Sequence, residues 1–151
     1  MSNQTDYSKA KHSLLEGWKV LVVDDNADSA QVIGDVLKAC GATVFLAENG
    51  NEGYERALEV LPHFIISDIM MPIASGWDLI EKLKADVRTR DIPAIALTAH
   101  SSSQDRELAI SRGFHNYLSK PFEVQSLLSQ ILTLIEDVED LGEQLAQRLR
   151  A

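Results

Sequence analysis

Val20-Leu21-Val22-Val23-Asp24-Asp25-Asn26 runs four apolar residues, three of them β-branched, directly into a pair of carboxylates. A run this short and this branched reads as a strand, and unbroken apolarity suits a sheet covered on both faces. Val44-Phe45-Leu46, Phe64-Ile65-Ile66, Ala94-Ile95-Ala96-Leu97 and the more mixed Tyr117-Leu118 repeat the pattern downstream. Segments of helical period separate them. Ala30, Ile33, Val36, Leu37 and Cys40 form one stripe, with Gly41 placed to cap it. Tyr54, Ala57 and Leu58 belong to a second helix closed by Pro62, and Leu79, Ile80 and Leu83 mark a third. A fourth runs from about Gln104 to Arg112 before Gly113, and a fifth starts near Pro121. Strands alternating with helices predict a parallel sheet of βαβ units, with right-handed crossovers and helices on both faces.

The 151 residues suffice for one domain with a sizeable core. Lys and Arg number 14 against 23 Asp and Glu, a net charge of −9. So acidic a chain gains nothing from counterion release on a phosphate backbone, which argues against direct nucleic-acid binding. A single cysteine, Cys40, excludes an internal disulfide framework and a cysteine-based zinc site. No stretch approaches the roughly 18 apolar residues of a membrane span, and Met1 to Lys11 lacks the apolar core of a signal peptide. The expectation is a soluble, cytoplasmic domain, with residues 1–16 a flexible polar tail.

Ligands of parallel α/β sheets bind beyond the carboxyl ends of the strands. Asp24 and Asp25 end the first strand, Asp68 the third, Thr98 the fourth and Lys120 the fifth. In a parallel sheet these groups share one edge. Clustered carboxylates repel and need compensation, which a hard divalent cation such as Mg²⁺ supplies. A lysine and a hydroxyl opposite suit the oxygens of a phosphoryl group, and a carboxylate can itself accept that group. The set reads as a phosphoacceptor site. Each residue alone has a plainer reading: Asp24 and Asp25 as helix caps, Asp68 as a loop carboxylate, Thr98 as a strand-end hydroxyl, Lys120 as a surface lysine. Their joint order at successive strand ends argues otherwise.

By these residues the chain resembles the receiver (response-regulator) domain of two-component phosphorelays, over about Trp18 to Leu134. The fragments that carry the resemblance are Val20 to Asn26, Ser67-Asp68-Ile69-Met70-Met71-Pro72, Gly76-Trp77, Leu97-Thr98-Ala99-His100 and Leu118-Ser119-Lys120-Pro121-Phe122. The resemblance implies a flavodoxin-like, doubly wound, five-stranded parallel sheet of order 2-1-3-4-5 with five helices, the receiver spanning residues 17–135. It implies Asp68 as phosphoacceptor, and Mg²⁺ held by Asp24, Asp25, Asp68 and the Met70 carbonyl. Thr98 becomes the switch hydroxyl, Lys120 its ion partner, and Tyr117 a rotating aromatic coupled to Thr98. Met70 and His100 would line the approach to the phosphoryl group, and the Lys120–Pro121 bond would be cis. His12, His63 and His115 show no catalytic or metal spacing and read as structural or solvated.

The expected function is that of a stand-alone response regulator and not an enzyme. A sensor histidine kinase or histidine phosphotransfer protein would supply the phosphoryl group. The surface of the fourth helix, fifth strand and fifth helix would then change shape and signal to a downstream protein. In this family partner specificity resides mainly in the first helix's exposed face, here Asp28, Gln31, Val32 and Asp35. Two alternatives remain: a phosphorylation-independent interaction module of the same fold, and a haloacid-dehalogenase-type phosphatase. The latter wants a second aspartate two residues after its nucleophile, where this chain has Met70.

Past Leu134 the chain exceeds the family pattern. Leu127, Ile131, Leu134, Val138, Leu141 and Leu145 are spaced 4, 3, 4, 3, 4, a heptad seam. One helix over residues 122–150 would run about 43 Å, making residues 136–151 an extension of the C-terminal helix. Left uncovered, Leu141, Leu145 and Leu149 predict a homodimer or partner docking through that extension. The alternative is a frayed acidic helix, which Glu136-Asp137-Val138-Glu139-Asp140 and Gly142 favour.

Overall fold

The computed structural model describes residues 14–99 and 102–138, together with Leu141 and Glu143. Among the described residues, five strands alternate with five helices: β1 (Lys19–Val23), α1 (Ala27–Ala39), β2 (Thr43–Ala47), α2 (Gly50–Val60), β3 (Phe64–Asp68), α3 (Gly76–Ala85), β4 (Ala94–Thr98), α4 (Ser103–Arg112), β5 (Asn116–Ser119) and α5 (Val124–Asp137). The strands form one sheet of order β2-β1-β3-β4-β5, and every pairing is parallel. This is the doubly wound, flavodoxin-like arrangement that the sequence predicts, with strand order reversing between β1 and β3.

The alternation of strand side chains sorts the core into two layers. Val20, Val22, Phe64, Ile66, Ile95 and Leu97 pack with Ile33 and Leu37 of α1 and with Leu127, Ile131 and Leu134 of α5. Leu21, Val23, Ile65 and Ala96 face the other way, onto Ala57, Leu79, Leu83 and Ala109 of α2, α3 and α4. Helix boundaries follow local chemistry. Asn26 caps α1 by accepting from the Ser29 N–H at 3.0 Å, Asn49 caps α2, and Ser75 with Asp78 closes a reciprocal capping box on α3. Helix α2 stops in a left-handed Leu61 just before Pro62, and α4 in a left-handed Gly113. His63 is structural: its Nδ1 accepts from the Lys19 N–H at 3.0 Å, and its ring stacks on Trp18.

Two expectations about the ends are corrected. Leu15, assigned to the polar N-terminal tail, is fully buried, and its N–H donates to the Cys40 carbonyl at 2.8 Å. Trp18 needs a neighbour on the α1–α5 layer, and the preceding leucines supply it. The long C-terminal helix is not formed either. Helix α5 ends at Asp137, Val138 is extended (φ −93°, ψ 110°), and Leu141 returns to the α1–α5 core at 5% exposure. Of the heptad positions, Leu127, Ile131, Leu134 and Leu141 are buried in this chain's own core. Leu145 and Leu149 lie outside the described residues. Among the described residues no helix is long and apolar enough to cross a membrane.

Candidate functional site

At the carboxyl edge of the sheet the chain makes three sharp exits. After β1, the Asn26 N–H donates to Asp24 Oδ1 at 2.9 Å, which folds the turn back over the carboxylate. Because Asn26 takes the capping role on α1, Asp24 and Asp25 are left free for other work. After β3, the Met70 N–H approaches Asp68 Oδ1 at 3.3 Å, and the Gly76 N–H returns to the Ile69 carbonyl at 2.9 Å. This return is tight: a Cβ on Gly76 would lie 2.4 Å from the Asp68 carbonyl oxygen. Only a glycine lets α3 begin directly behind Asp68. The third exit is the cis Lys120–Pro121 bond after β5, where the Lys120 N–H donates to the Thr98 carbonyl at 2.7 Å.

These turns bring Asp24, Asp25 and Asp68 together, one carboxylate oxygen of each lying within 4.8 Å of the others. Asp24 and Asp68 are buried and Asp25 is exposed. Lys120 reaches in from the side, its Nζ 3.0 Å from Asp24 Oδ2 and 3.2 Å from Asp68 Oδ2. Burial pushes the Asp68 carboxyl above its ordinary range, and the neighbouring Asp24 charge adds to that push against the opposing pull of Lys120 and the Met70 N–H. For Lys120, burial works against the charge, but Asp24 and then Asp68 overcome it and hold the ammonium above its usual value. One ammonium thus faces three carboxylates. The hard oxygen donors, their spacing and the surplus negative charge fit a small divalent cation such as Mg²⁺.

Thr98 ends β4 with 4% exposure, one residue past Leu97, the register partner of Asp68. Its hydroxyl shares a hydrogen bond with that of Tyr117 on β5, and burial, with the Asp105 charge, holds the Tyr117 phenol above its ordinary value. The Arg106 guanidinium of α4 lies over the Tyr117 ring at 6.0 Å. Sequence reasoning placed Thr98 and Tyr117 but missed Arg106, an exposed residue on a helix whose facing ring is known only from the fold. Met70 is 60% exposed at the mouth of the site. The expectation for His100 falls outside the described residues.

The family profile for the response regulator receiver domain matches residues 20–132, and the chain belongs to that family. A transcriptional regulator of Synechocystis, RpaA, is 32% identical over 117 residues, covering 78% of this chain and 48% of the relative. An uncharacterized 14.6 kDa protein of Leptolyngbya boryana is 36% identical over 109 residues, covering 72% and 83%. This chain thus spans about half the length of several curated relatives. Among solved structures it is similar to the chemotaxis protein CheY4 of Vibrio cholerae (TM-score 0.73, 28% identity, covering 77% of this chain and 97% of that one). It is also similar to the receiver domain of the Pseudomonas aeruginosa sensor kinase PA1611 (TM-score 0.71, 28% identity, 83% and 98%), in which a magnesium ion is coordinated in the active-site cleft.

Proposed function

We propose that this receiver domain accepts a phosphoryl group on Asp68 from a phosphohistidine of a sensor kinase or phosphotransfer protein. The observation that carries the reading is the pairing of one buried carboxylate, Asp68, with a lysine and two further carboxylates at the sheet's switch point. An Asp68 oxygen attacks phosphorus, the N–P bond breaks with its electron pair left on the imidazole nitrogen, and an acyl phosphate forms. Asp24, Asp25, Asp68 and the Met70 carbonyl would hold Mg²⁺, which supplies charge neutralisation to the phosphoryl oxygens. Lys120 neutralises from the opposite side, and burial excludes water around Asp68.

The new oxygens compete for the Thr98 hydroxyl, which is shared with Tyr117 in the structure described. Withdrawing it frees Tyr117 to reorient against Arg106, altering the surface of α4, β5 and α5 that a downstream protein reads. The domain acts as a cytoplasmic signalling element whose covalent chemistry is confined to its own phosphorylation and dephosphorylation. Exposed Met70 presents no carboxyl group for phosphatase chemistry on outside substrates. The test is intact-mass analysis after exposure to a small phosphodonor, with and without Mg²⁺. A single Mg²⁺-dependent phosphoryl adduct that Asp68→Asn loses is expected. A folded, Mg²⁺-binding protein with no adduct overturns the reading in favour of a phosphorylation-independent interaction module.

A further inference from the structure

On the side of the sheet away from α1 and α5, helices α2 and α3 turn a shared face to solvent. Along α3 the exposed residues Asp78, Glu81, Lys82 and Ala85 recur at helical spacing, while Leu79, Ile80 and Leu83 are buried. Two shallow depressions of about 490 and 580 Å³ adjoin on this stripe, and Lys82 and Ala85 line both. Ile73 lines the first and Val87 the second. At 85% and 70% exposure they are the most exposed large apolar side chains among the described residues. Ile73 also lies in the left-handed region (φ 70°), which a β-branched residue rarely adopts. The loop after β3 thus holds an apolar side chain out to water in a costly conformation.

The charges on this face name its occupant. Asp86 is engaged within the chain, accepting from the Tyr54 hydroxyl at 2.6 Å and from the Arg88 guanidinium at 2.7 Å. Lys82 donates to the neutral Asn51 Oδ1 at 2.7 Å, and among the described residues neither Glu81 nor Lys82 has an ion-pair partner. We propose that the face pairs two copies of this chain, α3 against α3, antiparallel about a two-fold axis between residues 81 and 82. That axis sets Glu81 of each copy against Lys82 of the other, and Asp78 against the small Ala85, which lets the helices approach. The Ile73 end of each copy then meets the Val87 end of the other. Read backwards, the order Ile73, Glu81, Lys82, Val87 places acid on base and apolar on apolar, so one operation satisfies every group. The net charge of −9 repels a second copy in general, but on this face Asp78, Glu81 and Asp86 are offset by Lys82, Lys84 and Arg88. Asp24, Asp25 and Asp68 line neither depression, so the pairing leaves the acidic site open. The inference survives if Asp68 proves not to accept phosphate.

Sedimentation velocity of the full chain, from about 10 μM to 1 mM, tests it. A concentration-dependent dimer is expected. Glu81→Lys and Lys82→Glu should each weaken it about tenfold, because each turns two attractive pairs into two repulsive ones. The double swap Glu81→Lys, Lys82→Glu should restore it. Bulk charge alone gives a different pattern, since Glu81→Lys makes the chain less negative and would then strengthen association. Ile73→Asn suits the left-handed backbone. It should weaken the dimer by a similar factor without lowering the melting temperature of the dilute monomer. All three positions are exposed, so the fold should be retained, which circular dichroism reports. A monomer at every concentration, a dimer indifferent to the single variants, a tighter dimer in Glu81→Lys, or a double swap no better than the single ones overturns the proposal.

Discussion

Lys120 Nζ lies 3.2 Å from Asp68 Oδ2, although 52 positions separate the two residues in the chain. The pair does not neutralise the site, because the same ammonium is shared with Asp24 at 3.0 Å. It also competes with any cation for those two carboxylates. Lys120→Met should therefore tighten Mg²⁺ binding while impairing phosphoryl acceptance. The partly buried ion pair is worth about 1 kcal/mol, so a roughly fivefold gain in Mg²⁺ affinity is expected. Fluorescence or calorimetric titration against the wild type checks it. Unchanged or weaker Mg²⁺ affinity would show that Lys120 does not compete for these oxygens.

Asp68 is held above its ordinary carboxyl range, chiefly by burial, and the direction fixes the sign of a pH effect. A carboxyl that binds its proton more tightly folded than unfolded favours the folded state at low pH. That contribution is lost as pH rises through the unfolded value of 3.8 and on past the folded one. At pH 7 the charged Asp68 therefore costs stability. Asp68→Asn should melt higher than the wild type at neutral pH, and the gap should close on acidification below about pH 4. Added Mg²⁺ should raise the wild-type melting temperature more than that of Asp68→Asn. Thermal melts across pH decide it, and a destabilised Asp68→Asn at pH 7 would contradict the argument.

The strands were legible because each is a short apolar run ending in a turn, and the site because its carboxylates end those runs. Thr98, Tyr117 and Lys120 were placed by likeness to a family as much as by chemistry. What misled was periodicity. Leu127, Ile131, Leu134 and Leu141 fit a heptad whether a second helix or the chain's own sheet covers them. Only the extended backbone at Val138 separates the cases, and no proline or glycine marks that position. Leu15 was missed because its need for cover comes from Trp18 and Cys40, neighbours that only the fold reveals.

Gly76 is a steric requirement of the site. Any Cβ there meets the Asp68 carbonyl oxygen at 2.4 Å and the Ile69 Cα at 2.8 Å, backbone atoms that cannot swing aside. Gly76→Ala should cost about 2–3 kcal/mol by forcing α3 away from β3. It should also slow phosphoryl acceptance by displacing Asp68, although residue 76 touches none of the reacting atoms. Urea unfolding and the mass-shift assay read the two effects. Stability lost with phosphorylation intact would mean that the loop absorbs the clash without moving Asp68.

Leu141 gives the sharpest test of how the chain ends. As part of an exposed seam, Leu141→Ala would change stability little, and any effect would fall on self-association. The structure buries Leu141 to 5% exposure in a cluster that includes Leu15, Trp18 and Leu134. Its truncation should therefore cost about 2 kcal/mol, the low end for a buried leucine, because a site at the margin of the core can partly collapse. Leu15→Ala should cost a similar amount, and the two losses should fall short of additive because both side chains fill one cluster. Urea unfolding measures each loss, and sedimentation over a range of concentrations measures assembly. A loss near zero for Leu141→Ala, accompanied by loss of a dimer, would restore the seam and overturn the fold-back of residue 141.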